Sequence, residues 1–144
     1  IAGAAALTEA LAERDMVMND FREKVLQLAE HLDQIPGFSC LSPRGSFYAF
    51  PCVVEVCNEN MITSHGLAMY LLEGADDKKG VACLGGECFG EAGSGFLRMS
   101  CSESIERITE AVEFIKLSVR SRADIMTYLA ERPQFRLQQL YTLE

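Results

Sequence analysis

Arg98 is the residue of this chain best suited to chemistry. It lies in Gly93-Ser94-Gly95-Phe96-Leu97-Arg98-Met99-Ser100, where a glycine-rich stretch runs into an alternating, strand-like segment. A guanidinium keeps its charge and presents a planar fork of N–H donors that grips a carboxylate through two parallel hydrogen bonds. A small carboxylate-bearing molecule is therefore the first ligand to expect, and a solvated arginine at a strand end is the ordinary alternative. Backbone N–H groups exposed by the glycines of 85–95 could cradle an oxyanion, but the sequence has no G-x-G-x-x-G opening a helix and no G-x-x-x-x-G-K-[ST]. The segment feeds a strand, so nucleotide binding is not expected.

Other reactive side chains form no constellation. Six cysteines stand at 40, 52, 57, 83, 88 and 101 without a C-x-x-C pair, and neither His31 nor His65 adjoins them. No metal site is expected from that spacing; thiols in apolar runs behave as small hydrophobes in a reducing compartment. Cys83 or Cys88 as a nucleophile would need a base and an orienting group that the two histidines do not supply. Glu87 and Glu91 read as carboxylates that solvate the glycine loop.

Composition narrows the partners. Lys and Arg total 13 against 21 Asp and Glu, a formal charge of −8, which repels nucleic acid and anionic membrane alike. No apolar run approaches membrane-spanning length, and the alanine-rich start lacks a basic leader, so the expectation is a cytoplasmic chain. A start without methionine suggests part of a longer protein. The length of 144 residues suffices for one core without disulfides or metals.

The elements that must position Arg98 follow from periodicity. Residues 4–33 read as helical, as one helix or as two with a break near Glu13-Arg14-Asp15, and Ile35-Pro36-Gly37 stops the pattern. Phe38–Leu41 and Ser46–Phe50 read as a hairpin around Ser42-Pro43-Arg44-Gly45, Asn58–Asn60 as a loop, and Thr63–Leu72 as a helix. Val81–Leu84 and Phe96–Cys101 read as strands. Ser102 or Ser104 can cap a helix whose stripe of Ile105, Ile108, Val112, Ile115 and Val119 signals core. The tail stays helix-compatible to Pro133, and Tyr128, Leu129, Phe135, Leu137, Leu140 and Tyr141 call for apolar cover, from another domain or a second subunit.

Four segments in order carry a resemblance: Ile35-Pro36-Gly37; Pro43-Arg44-Gly45-Ser46-Phe47-Tyr48-Ala49-Phe50-Pro51; Gly80-Val81-Ala82-Cys83-Leu84-Gly85-Gly86-Glu87-Cys88-Phe89-Gly90; and Gly95-Phe96-Leu97-Arg98-Met99-Ser100. Together they resemble the C-terminal part of class I/II aminotransferases, the aspartate-aminotransferase family of pyridoxal-phosphate enzymes. Gly85 stands where that family usually has proline, which would loosen the loop.

What the resemblance implies is an α/β fold, or α+β for the chain judged alone: a small, mostly antiparallel sheet covered by helices, with long first and last helices. It implies a small domain over 1–118, with 1–34 as an interdomain-type helical segment, and leaves 119–144 as a helical extension without assigned role. It implies that Arg98 holds a substrate α-carboxylate, and Tyr48 could approach the same pocket or simply pack in the core. The cofactor implied is pyridoxal 5'-phosphate, with its Schiff-base lysine and binding residues expected upstream of Ile1, because Lys24, Lys78, Lys79 and Lys116 lie in the wrong context. No catalytic, cofactor-binding or metal-binding residue is then expected in this chain. The implied partners are an amino acid, aspartate among the candidates, and a 2-oxo acid, in a homodimeric parent. A lyase or synthase of the same cofactor family, or a non-catalytic binding or regulatory domain on the same fold, are the alternatives.

Overall fold

The computed structural model describes residues 11–142. Helix α1, Leu11–Asp33, runs unbroken through Glu13-Arg14-Asp15. Its second half buries Val25, Leu28, Ala29 and Leu32, whereas Met16, Val17 and Met18 in its first half are exposed. The expected start of this helix at residue 4 lies outside the described residues. Past Asp33 the chain turns through Ile35-Pro36-Gly37, as a proline that lacks an N–H and a following glycine require.

Strand β1, Tyr48–Ala49, is followed by α2, Val54–Asn60, and by α3, Ser64–Met69, whose last turn widens into a π-helical turn, Tyr70–Gly74. Strand β2, Leu84–Gly85, leads into two 3-10 turns, Gly86–Phe89 and Glu91–Gly93. Strand β3, Leu97–Ser100, precedes α4, Ile105–Ser118; then come α5, Arg122–Glu131, and a final 3-10 turn, Pro133–Phe135. The architecture is α/β: among the described residues, five helices around a three-stranded antiparallel sheet of order β1-β3-β2.

Three sequence-based expectations need correction. The strand expected over Val81–Leu84 is confined to Leu84–Gly85, with 81–83 in no regular element. The segment 38–41 does not form a hairpin with 46–50: Ser39 makes a single bridge to Cys52, while Tyr48 and Ala49 pair with Ser100 and Met99 of β3. Asn58–Asn60 is not loop but the end of α2. There the buried Asn60 amide donates to the Val56 carbonyl at 2.8 Å, a helix-compatible use of a side chain that usually signals a turn.

Helices α1 and α4 pack on each other, and α1 also meets β1, while α3 packs on β2 and β3. Ser104 caps α4 by accepting from the Arg107 N–H at 3.4 Å, and Ile108, Val112 and Ile115 of its stripe are buried. The tail finds its apolar cover on this same chain. Ile125 and Leu129 of α5 are fully buried, with Tyr128 and Leu137 nearly so, while Leu140 stays about half exposed.

Candidate functional site

Strand β3 is the middle strand, so both neighbours hold Arg98 in register: Leu84 lies opposite it on β2, and Tyr48, opposite Ser100 on β1, is its diagonal neighbour. Alternation puts Leu97 and Met99 into the core and leaves Arg98 half-buried on the other face. There the guanidinium lies between two aromatic rings, 4.4 Å from the Tyr48 centroid and 4.6 Å from that of Phe89. Further rings continue the row, Phe47 and Phe21 beyond Tyr48 and Phe50 and Phe96 beyond Phe89.

This arrangement leaves Arg98 chemically available. Stacking occupies the faces of a guanidinium, whereas its hydrogen bonds leave from the edge. Among the described residues no carboxylate pairs with Arg98; the ion pairs present lie elsewhere, at Arg14–Asp15, Lys24–Asp20, Lys116–Glu113 and around Arg132. A planar cation with a free edge, half-shielded by aromatic walls, is suited to a carboxylate ligand.

The glycine segment before Arg98 is clasped, not loose. Gly86 N–H donates to the Phe96 carbonyl at 2.7 Å and Phe96 N–H to the Gly93 carbonyl at 3.1 Å. A Cβ at Gly86 would run into the Gly93 carbonyl, so the clasp needs glycine. Gly85, where a looser loop is expected for want of proline, has φ −63°, an angle proline would accept, yet a side chain there would collide with the His65 backbone. Tight packing against α3 does the work of the missing ring.

Glu87 is also not a solvating carboxylate. Its Oε1 accepts from the Tyr141 hydroxyl at 2.7 Å and from the His65 N–H at 3.3 Å. Burial acts to raise its pKa, but hydrogen bonds from the Ser64 and Tyr141 side chains and from the backbone N–H groups of Glu87 and His65 outweigh it and hold the carboxyl below its ordinary value. The Ser64 hydroxyl favours the charge without reaching Oε2 in good geometry, since Oε2 is buried and has no hydrogen-bond partner among the described residues.

The remaining candidates stand apart. Lys24 and Lys116 are engaged in ion pairs on α1 and α4, and Lys78 and Lys79 donate backbone N–H groups to Asp76 in an exposed loop. Burial pushes the thiols of Cys40 and Cys83 up to about 11 and about 12 and raises Cys57 further, so all three are protonated; Cys40 and Cys57 are buried and Cys83 half-buried. His31 sits half-buried near the end of α1, and the exposed His65 ring packs edge-on against Phe135. Among the described residues no three His, Cys, Asp or Glu side chains converge as a metal site. Sequence reasoning missed Phe89 and the Glu87–Tyr141 pair. Phe89 was marked only by its place in a motif, whereas Glu87 and Tyr141 are 54 residues apart and carried no local signal.

Comparison with known proteins identifies the family and the fold. The family described as Aminotransferase class I and II matches residues 1–115. The aspartate aminotransferase of Geobacillus stearothermophilus is 33% identical over 104 residues, covering 72% of this chain and 25% of that protein. The aspartate aminotransferase of Pyrococcus horikoshii is 29% identical over 97 residues, 67% of this chain and 23% of that protein. Among solved structures, alanine aminotransferase from Pyrococcus furiosus superposes with TM-score 0.71 at 28% identity, over 81% of this chain and 28% of that one. The chain spans about a quarter of the length of such relatives. A match over most of its residues, in sequence and in fold, makes this chain a member of the class I and II aminotransferases.

Proposed function

We propose that the whole protein is a pyridoxal-phosphate-dependent aminotransferase acting on an amino acid and a 2-oxo acid, and that this chain supplies its small domain, with Arg98 as the grip on the substrate α-carboxylate. The observation that carries this reading is the guanidinium held between Tyr48 and Phe89 with no acidic partner among the described residues. A bidentate hold fixes the carboxylate and hence the orientation of the neighbouring α-carbon. The flanking rings keep the fork in one plane and exclude water from its faces.

When bound, pyridoxal phosphate supplies the electron sink for chemistry at that carbon. The described residues do not fit a site for it by themselves, since none of the chain's lysines joins the Arg98 cluster. The lysine and pocket that hold the cofactor therefore belong to the large domain of the proposed enzyme, and the isolated chain is expected to show no turnover. Aspartate is the first substrate to assay, as two relatives are aspartate aminotransferases.

The test is Arg98→Ala in the full-length protein. Loss of a desolvated charge pair lowers kcat/KM by about 100-fold, about 3 kcal/mol at tenfold per 1.4 kcal/mol, while the cofactor absorbance spectrum stays that of the unsubstituted enzyme. Unchanged kcat and KM would remove Arg98 from the site.

A further inference from the structure

The C-terminal segment after α5 lies outside the residues matched by the family, yet it is tied to the loop that walls in Arg98. It crosses the connection between α2 and α3 as a short ladder: the Thr63 N–H donates to the Phe135 carbonyl at 2.9 Å, Ile62 and Arg136 form a bridge, and the Leu137 N–H donates to the Met61 carbonyl at 2.8 Å. Tyr141 is then held at both ends. Its backbone N–H and carbonyl bond the two ends of the Asn58 amide at 2.9 and 3.0 Å. Its hydroxyl accepts from the Ser64 N–H at 3.1 Å and donates to Glu87 Oε1 at 2.7 Å.

Glu87 is in the 3-10 turn Gly86–Phe89, two residues before the ring that stacks on Arg98. Ser64, the other partner of the Tyr141 hydroxyl, accepts from the Gly95 N–H at 3.0 Å at the far end of the same loop. The two ends of the segment 86–95 are thus tied to the start of α3 by two groups: the Tyr141 hydroxyl, which links Glu87 to the Ser64 N–H, and the Ser64 hydroxyl, which holds Gly95.

We propose that Tyr141 is a positioning residue: through Glu87 it fixes the 86–95 loop, and with it the Phe89 wall and the orientation of the Arg98 guanidinium. The inference rests on the reading of Arg98 as the carboxylate grip. Burial, with the charged acceptor beside it, pushes the Tyr141 phenol up to about 12, so the donor proton stays in place across the range in which the enzyme would work. The C-terminal segment is then part of the substrate site without touching substrate.

The test is Tyr141→Phe in the full-length protein, which keeps the ring and removes one donor. Loss of a hydrogen bond to a charged acceptor that acts only on positioning raises the amino-acid KM about five- to tenfold with little change in kcat. In hydrogen exchange, the amides of 86–96 exchange faster while those of α1 and α4 keep their protection. Glu87→Gln, which still offers an oxygen to the phenol, retains more of the affinity than Glu87→Ala. In an Arg98→Ala background the Tyr141→Phe effect on KM disappears, because the group being positioned is gone.

A Tyr141→Phe protein with unsubstituted KM and exchange overturns the proposal, and so do effects of the two substitutions that simply add. If Arg98→Ala alone leaves KM unchanged, the carboxylate reading itself falls. In that case faster exchange of 86–96 in Tyr141→Phe still reports the tether, so the two failures are told apart.

Discussion

The two faces and the edge of a guanidinium have separate uses in Arg98. Tyr48 and Phe89 take the faces, at 4.4 and 4.6 Å, and the edge is the part assigned to the carboxylate in the proposed function. Only the ring of Tyr48 is used in this contact, so Tyr48→Phe should leave the amino-acid KM of the full-length protein nearly unchanged. Tyr48→Ala removes a cation–π contact of about 0.5–1 kcal/mol and should raise KM by about two- to fivefold. Steady-state kinetics on the two variants checks this, and a Tyr48→Phe protein as impaired as Tyr48→Ala would assign the work to the hydroxyl instead. Residue type and motif order drew attention to Arg98 and Tyr48, whose ring the structure places against the Arg98 guanidinium. Glu87 was misread because two acids in a glycine-rich segment look solvated, and nothing local reveals that a tyrosine 54 residues away donates to one of them.

Elements with a long, regular period were legible and short ones were not. The stripe of α4 and the proline-glycine stop after α1 depend on local rules, and both were found where expected. Helix α2 was hidden because Val53-Val54-Glu55-Val56 is rich in β-branched residues and Asn58 and Asn60 suggest a turn; tertiary packing of Val54, Val56 and Cys57 into the core overrides both. The sheet was read with the wrong partner for 46–50, since pairing with β3 spans about half a hundred residues and local turn chemistry favours the neighbour. At this scale the clasp of Gly86 and Gly93 makes a sharp prediction. Gly86→Ala forces a methyl group against the Gly93 carbonyl and should lower unfolding stability by about 1–3 kcal/mol in urea denaturation, a figure typical of overpacking. Ala at exposed Gly45, whose Cβ meets nothing, should be within about 0.5 kcal/mol of the unsubstituted chain.

On the scale of the whole molecule, the segment from α5 to Leu137 is a layer of the fold. Ile125 and Leu129 are fully buried and Tyr128 nearly so, packed with Tyr70 and Phe135. Ending the chain after Ser118 removes these side chains, each worth about 1.5–3 kcal/mol of burial. Against a total stability of about 5–15 kcal/mol for a domain, the truncated chain should lose its cooperative thermal transition in calorimetry. A transition at the same temperature would show that the layer is dispensable. The strand order β1-β3-β2 has a kinetic consequence. β1 and β2 flank β3 and pair with it, so neither acquires its sheet partner until residues 97–100 have been synthesised. The β1–β3 pairing, Tyr48 with Ser100, is the one distant in sequence, and such pairings close slowly. The strand that bears Arg98 is thus the one whose arrival completes the sheet, so during synthesis the sheet and the placing of the proposed carboxylate grip wait on the same four residues.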